Sequence, residues 1–139
     1  MNPQRWPGGG ILLLGFLIAI VPQYIFPVCD GTLETISGKH IPMKCHWTAI
    51  AELGTGGLIG LGGISLMIFK DSGIRLGISL MTLFSAILAL LFPVWLIGVC
   101  PSPLMPCHAG TLPALVILSS FTAALSLGNL FFLSKRHKA

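Results

Sequence analysis

Charge is what this chain has least of. Eight Lys and Arg and four Asp and Glu make up 9% of 139 residues, where a soluble globular domain carries about a quarter. So few ionic groups cannot cover a water-exposed surface, and a soluble enzyme or binding module is excluded. Three of the acidic residues, Asp30, Glu34 and Asp71, fall between apolar stretches, so no paired-carboxylate centre is available for general acid and base work. Cys-x-x-Cys is absent, and so is a glycine-rich loop followed by Lys-Ser or Lys-Thr, which removes the common zinc and phosphate-loop signatures. Basic residues interleaved with aromatics are missing too, and nucleic acid is not an expected partner.

What remains is apolar. Hydrophobic residues form 54% of the chain, and the mean hydropathy is +0.91. Four stretches, approximately 10–28, 47–69, 76–99 and 110–133, are each near the roughly 20 residues that cross a hydrocarbon core. Isolated strands would leave backbone groups unpaired in lipid, so the stretches predict helices. The expectation is an all-α integral membrane protein with four transmembrane helices in a single domain over 1–139, in contact with the lipid bilayer. The first stretch is too long for a typical signal-peptide core and no small-residue cleavage pattern follows it, so it is expected to be retained.

Arg5, Lys70, Arg75, Lys135, Arg136 and Lys138 flank the spans on one side, against Lys39 and Lys44 on the other. The excess of basic residues in cytoplasmic segments predicts a multi-pass cell-membrane protein with both termini inside and the two long loops outside. Trp6, Tyr24, Trp47 and Trp95 lie near predicted span ends, as interfacial aromatics do.

The second half repeats the first. Pro22 to Cys29 recurs as Pro93 to Cys100, seven residues in each copy, and Met43-Lys44-Cys45-His46 recurs as Met105-Pro106-Cys107-His108. The unit is a helical hairpin with chemistry at its tip, and the two copies, 10–69 and 76–133, predict two pseudo-symmetric parallel hairpins. All four cysteines occupy repeated positions. On an oxidising face, Cys29, Cys45, Cys100 and Cys107 are disulfide candidates with three pairings. Proximity along the chain favours Cys29 with Cys45 and Cys100 with Cys107. The repeat symmetry favours Cys29 with Cys100 and Cys45 with Cys107.

Disulfides do not explain the neighbours. Met43, Cys45, His46, Met105, Cys107 and His108 offer six soft or borderline ligand atoms, a set that suits copper, zinc or haem iron better than hard cations. A third chemistry is thiol–disulfide exchange, since four spans with two cysteine pairs on one face is the plan of quinone-linked disulfide-generating membrane enzymes. The cysteine spacings differ from that family's close pair.

Glu52 is the one acidic residue inside a span, and an intramembrane carboxylate is by default a functional candidate. Its alternative is to reach the interface or pair with Lys44 or Lys39. The second copy has Ala114 in register, so Glu52 breaks the repeat. Gly56 and Gly60 form a small-xxx-small pair that predicts close packing of span two against span one or four. Gly8-Gly9-Gly10 reads as a flexible entry to span one. Pro22, Pro27 and Pro93 are expected to kink or end spans one and three, freeing carbonyls for donors from the histidine-bearing loops.

Phe26-Pro27-Val28-Cys29, Met43-Lys44-Cys45-His46-Trp47-Thr48-Ala49, Cys100 and Met105-Pro106-Cys107 together resemble an uncharacterised family of small four-span bacterial and archaeal membrane proteins, known as a domain of unknown function. Met-x-Cys-His-Trp-Thr is the most specific piece. The resemblance covers nearly the whole chain and brings no catalytic residues. It implies an association with ABC-type export systems. The leading expectation is therefore a non-enzymatic accessory subunit of a membrane assembly, partnered by other membrane subunits or by further copies of itself, with a disulfide-stiffened extracytoplasmic cap. Metal or haem binding is the alternative.

Overall fold

The computed structural model describes residues 6–28 and 31–138. Arg5, expected to flank span one, and Cys29, one of the four disulfide candidates, lie outside the described residues.

Proline and glycine placement explains how each span is built. Helix α1 runs Trp6–Ile20 and continues as a π turn over Val21–Ile25. Pro22 cannot donate the usual i to i−4 bond, and the ladder widens there so that Phe26 N–H reaches Val21 O at 2.9 Å. Helix α3, Ser72–Leu91, ends the same way. Its π turn covers Phe92–Leu96 around Pro93, with Ile97 N–H on Phe92 O at 3.1 Å. The repeated prolines thus take the same local form, and both are buried. Helix α2 is Lys44–Ile68, and a third π turn at Cys107–Thr111 leads into α4, Leu112–Lys138.

All four helical segments are long and apolar enough to cross a membrane: Trp6–Ile25, Lys44–Ile68, Ser72–Leu96 and Cys107–Arg136. The four-span fold read from the sequence is therefore present, with each span beginning three or four residues earlier than its apolar run suggests. Polar or small residues at the helix starts do not interrupt a helix that has a partner to pack on. Between α1 and α2 the loop is not irregular throughout. Strands β1, Thr32–Glu34, and β2, His40–Pro42, pair antiparallel with Thr32 opposite Pro42 and Glu34 opposite His40.

The bundle is inside-out relative to a soluble protein, as lipid requires. Large apolar side chains such as Phe16, Leu61, Phe84, Phe121 and Phe131 are exposed on the helix surfaces, while Ser79, Thr82, Ser119, Thr122 and Ser126 are buried. Trp6, Tyr24, Trp47 and Trp95 are all exposed near helix ends.

Small residues close the α1–α2 contact. A Cβ placed on Gly56 would stand 2.7 Å from both Ala19 N and Gly15 O, and one on Gly63 would stand 2.5 Å from Leu12 N. The partner of span two is thus span one, one of the two choices expected. The detail differs from a simple Gly56/Gly60 pair. Gly60 offers its backbone as the seat for Gly15, whereas its own added Cβ would meet only Leu12, at 3.8 Å. Gly8-Gly9-Gly10 is not a flexible entry. It lies within α1, and Gly8 packs on Gly63 and Met67 because it falls seven residues before Gly15 on the same helix face.

The other pairs are antiparallel too. Gly62 packs on Thr82, Asn129 Nδ2 donates to Ser79 Oγ at 2.8 Å, and Thr111 Oγ1 donates to Phe26 O at 2.9 Å. One end of the bundle therefore carries Cys45, Cys100 and Cys107, the thiol end. The opposite end carries the 69–71 connection and Lys70.

Candidate functional site

The thiol end is assembled from three stretches of chain. Val28 follows the α1 π turn, Met43–Ala49 opens α2, and Val99–Cys107 links α3 to α4. Val28, Cys45, Ala49, Cys100 and Cys107 form one buried cluster, with Met43, Val99 and Met105 packed against it. Cys29 directly follows Val28 in the chain.

Threonine and glycine position the sulfurs. Thr48 Oγ1, one turn into α2, donates to Gly98 O at 2.9 Å. Gly98 has φ +78°, a left-handed conformation that only glycine takes without steric cost. The chain turns back there and delivers Cys100 to Cys45. Gln23 Nε2 reaches Ala49 O at 3.4 Å, so α1 also holds the start of α2. Expectation and structure agree that carbonyls near the prolines accept hydrogen bonds. The donors are Thr48, two residues after His46, and Thr111, three residues after His108.

The sulfur geometry is compact. The Sγ atoms of Cys45, Cys100 and Cys107 all lie within 4.8 Å of one another. Cys45 and Cys100 are free thiols, 2.8 Å apart sulfur to sulfur, and the Cys100 backbone N–H donates to Cys45 Sγ at 3.3 Å. Cys45 and Cys107 are fully buried. Both pairings include Cys29, outside the described residues, and their other halves, Cys100 with Cys107 and Cys45 with Cys107, also lie within 4.8 Å. Cys45 and Cys100 belong to different hairpins, at positions that are not repeat equivalents. The Gly98 turn brings them together, since it folds Cys100 across the bundle toward the first turn of α2. Beside the sulfurs is a cavity of about 430 Å³ whose lining includes Met43, Cys100, Ser102 and Met105.

The two Met-x-Cys-His tetrads begin alike and end differently. His46 N–H donates to Met43 O, and His108 N–H donates to Met105 O, both at 3.0 Å. Each turn buries its cysteine. His46 is nevertheless exposed, edge-on to Trp47 with ring centroids 6.3 Å apart. His108 is half-buried, and its Nδ1 has no hydrogen-bond partner among the described residues. Of the six candidate ligands, Met43, Cys45, Met105 and Cys107 come together, His108 adjoins them in sequence, and His46 stays out.

Glu52 corrects the interfacial reading. It is fully buried, and neither carboxylate oxygen has a partner among the described residues. Lys44 and Lys39 are both exposed and do not reach it. Sequence reasoning also missed the rest of the buried polar set, which includes Ser119, Thr122 and Ser126. The available signal was their recurrence at three- and four-residue intervals in a span otherwise rich in Leu and Phe.

Comparison with known proteins adds a family and no activity. Neither a curated protein nor a solved structure matches the chain. Residues 11–132 match the family model described as Domain of unknown function (DUF4418), and the chain belongs to that family.

Proposed function

We propose that this protein is a non-enzymatic membrane subunit that holds one thiophilic metal ion, copper(I) or zinc, with the thiolates of Cys45, Cys100 and Cys107 at the extracytoplasmic end of the bundle. The observation that carries this reading is the convergence of three cysteine sulfurs within 4.8 Å. Disulfides need sulfurs only in pairs, whereas a third sulfur at the same point is what a thiolate metal site requires. The Cys100 N–H on Cys45 Sγ is the kind of outer-shell hydrogen bond that stabilises a ligating thiolate. Met43 and Met105 packed on the cluster add thioethers, which favour copper(I). His46 faces away, so two matched histidines for haem are not assembled.

The test is metal analysis on the whole protein, purified anaerobically with reductant. About one equivalent of copper(I) or zinc should survive desalting, and Cys45→Ser should remove it. Fully reduced thiols with no retained metal under copper(I) or zinc loading would overturn the proposal.

One observation favours a second reading. The 2.8 Å contact between Cys45 and Cys100 suits a disulfide joining the two hairpins, formed when the two thiols give up two protons and two electrons to an external oxidant. Peptide mapping without reductant separates the readings: a Cys45–Cys100 bridge in protein taken directly from the membrane supports the stiffened cap and excludes the metal site. The subunit role is tested by gentle solubilisation, which should recover other membrane proteins or further copies of this chain in stoichiometric amount.

A further inference from the structure

The bundle interior carries a second feature that the thiol site does not use. Glu52 is buried without a partner for either oxygen among the described residues, and the hydroxyls of Ser119 and Ser126 on α4 are in the same condition. Unsatisfied polar side chains are unusual in an apolar medium, because each gives up its hydration without gaining a partner.

Helix register ranks them as a column of levels along the bundle axis. Gly62 of α2 lies level with Thr82 of α3, and Ser79 of α3 lies level with Asn129 of α4 through their hydrogen bond. At a rise of about 1.5 Å per residue, Ser126, Thr122 and Ser119 stand about 4.5, 10.5 and 15 Å above Asn129 toward the thiol end. Glu52, ten residues from Gly62, stands at about 19.5 Å on the same scale. Thr48 and Cys45 follow at about 25.5 and 30 Å. Below Asn129, buried Arg75 lies one turn from Ser79 near the opposite end. No axial step in this series exceeds about 6 Å. Water is what satisfies orphaned buried polar groups.

The chemistry of the column selects its cargo. A hard cation needs about six oxygens around one point, and each level here offers one or two polar groups. A proton needs only a chain of single donors and acceptors. Glu52 is the titratable carboxyl in the chain of steps, and its charge when ionised has no near counter-ion. Lys44 is exposed at the thiol end, and Arg75 lies about 25 Å away along the axis.

We infer that this column is a hydrated proton path with Glu52 as its carrier. A hydronium on the thiol side gives one proton to the Glu52 carboxylate, forming its O–H bond and leaving a neutral water. That bond then breaks toward water at Ser119, which becomes hydronium and passes the proton on, the carboxylate is regenerated, and one proton has moved down its gradient. The inference does not rest on metal binding at the cysteines.

The experiment uses the full chain in vesicles containing a pH-sensitive dye, with a potassium diffusion potential set by valinomycin and no added metal. Wild type should carry protons at least tenfold faster than protein-free vesicles. Glu52→Gln should fall to the protein-free rate, and Ser119→Ala, which removes a hydroxyl while keeping a small residue, should slow flux several-fold. Circular dichroism of each variant checks that it is folded. Wild-type flux equal to that of protein-free vesicles would overturn the inference, as would unchanged flux in folded Glu52→Gln. Should Glu52→Gln not fold, unchanged flux in Ser119→Ala would do the same. Serine acting only in helix packing predicts these negative results.

Discussion

Two adjacent glycines should respond in opposite directions when each becomes alanine. At Gly56 the new methyl would stand 2.7 Å from Ala19 N and Gly15 O, where ordinary contact begins at 3.4 Å. Helices α1 and α2 must therefore separate locally by about 0.7 Å, enough to forfeit a quarter to a half of each contact's dispersion well. Overpacking of this kind costs about 1–3 kcal/mol. At Gly57 nothing lies within 4 Å of the added atom, so Gly57→Ala meets no clash and gains up to about 1 kcal/mol of helix propensity. Reversible unfolding in mixed detergent micelles, followed by circular dichroism, measures both. The expected result is a loss for Gly56→Ala and a neutral or positive change for Gly57→Ala. Equal effects at the two positions would refute the packing of α1 on the Gly56 face.

Three further outcomes follow from the same structure. Thr48→Val keeps the side-chain shape but removes the 2.9 Å bond to Gly98 O, leaving a carbonyl without its donor. It should cost about 1–3 kcal/mol and speed alkylation of Cys100 by a small maleimide. Asp71→Ala removes the side chain that accepts from Gly73 N–H at 2.9 Å at the start of α3, with an expected loss of about 1 kcal/mol in the same unfolding assay. His46→Ala should leave metal stoichiometry unchanged, because that ring is exposed. Loss of metal on this change would show that the ring turns inward when the site is loaded.

The four spans were legible because lipid imposes a simple rule: some twenty apolar residues in a row, with backbone groups satisfied internally. The prolines were legible for a similar reason, since the missing N–H at Pro22 and Pro93 acts locally. What escaped the sequence depends on register between helices. Chain proximity and repeat symmetry left the cysteine partners open, and it is the left-handed turn at Gly98 that carries Cys100 across to the first turn of α2. The repeat suggested equal roles for His46 and His108. Yet Trp47 follows His46 and Ala109 follows His108, and the His46 ring lies edge-on to Trp47 outside the cluster. Glu52 was visible as an anomaly, while its alignment with Ser119 and Ser126 emerged only once the helices were paired.

The central claim is that three sulfurs at one end of the bundle bind one metal ion. X-ray absorption at the metal edge of the reduced, copper(I)- or zinc-loaded protein tests it most directly. A coordination shell dominated by about three sulfur scatterers, near 2.3 Å if the ion is zinc, is expected, and it should collapse in Cys45→Ser. A shell made of nitrogen and oxygen, or an unaltered spectrum in Cys45→Ser, would contradict it.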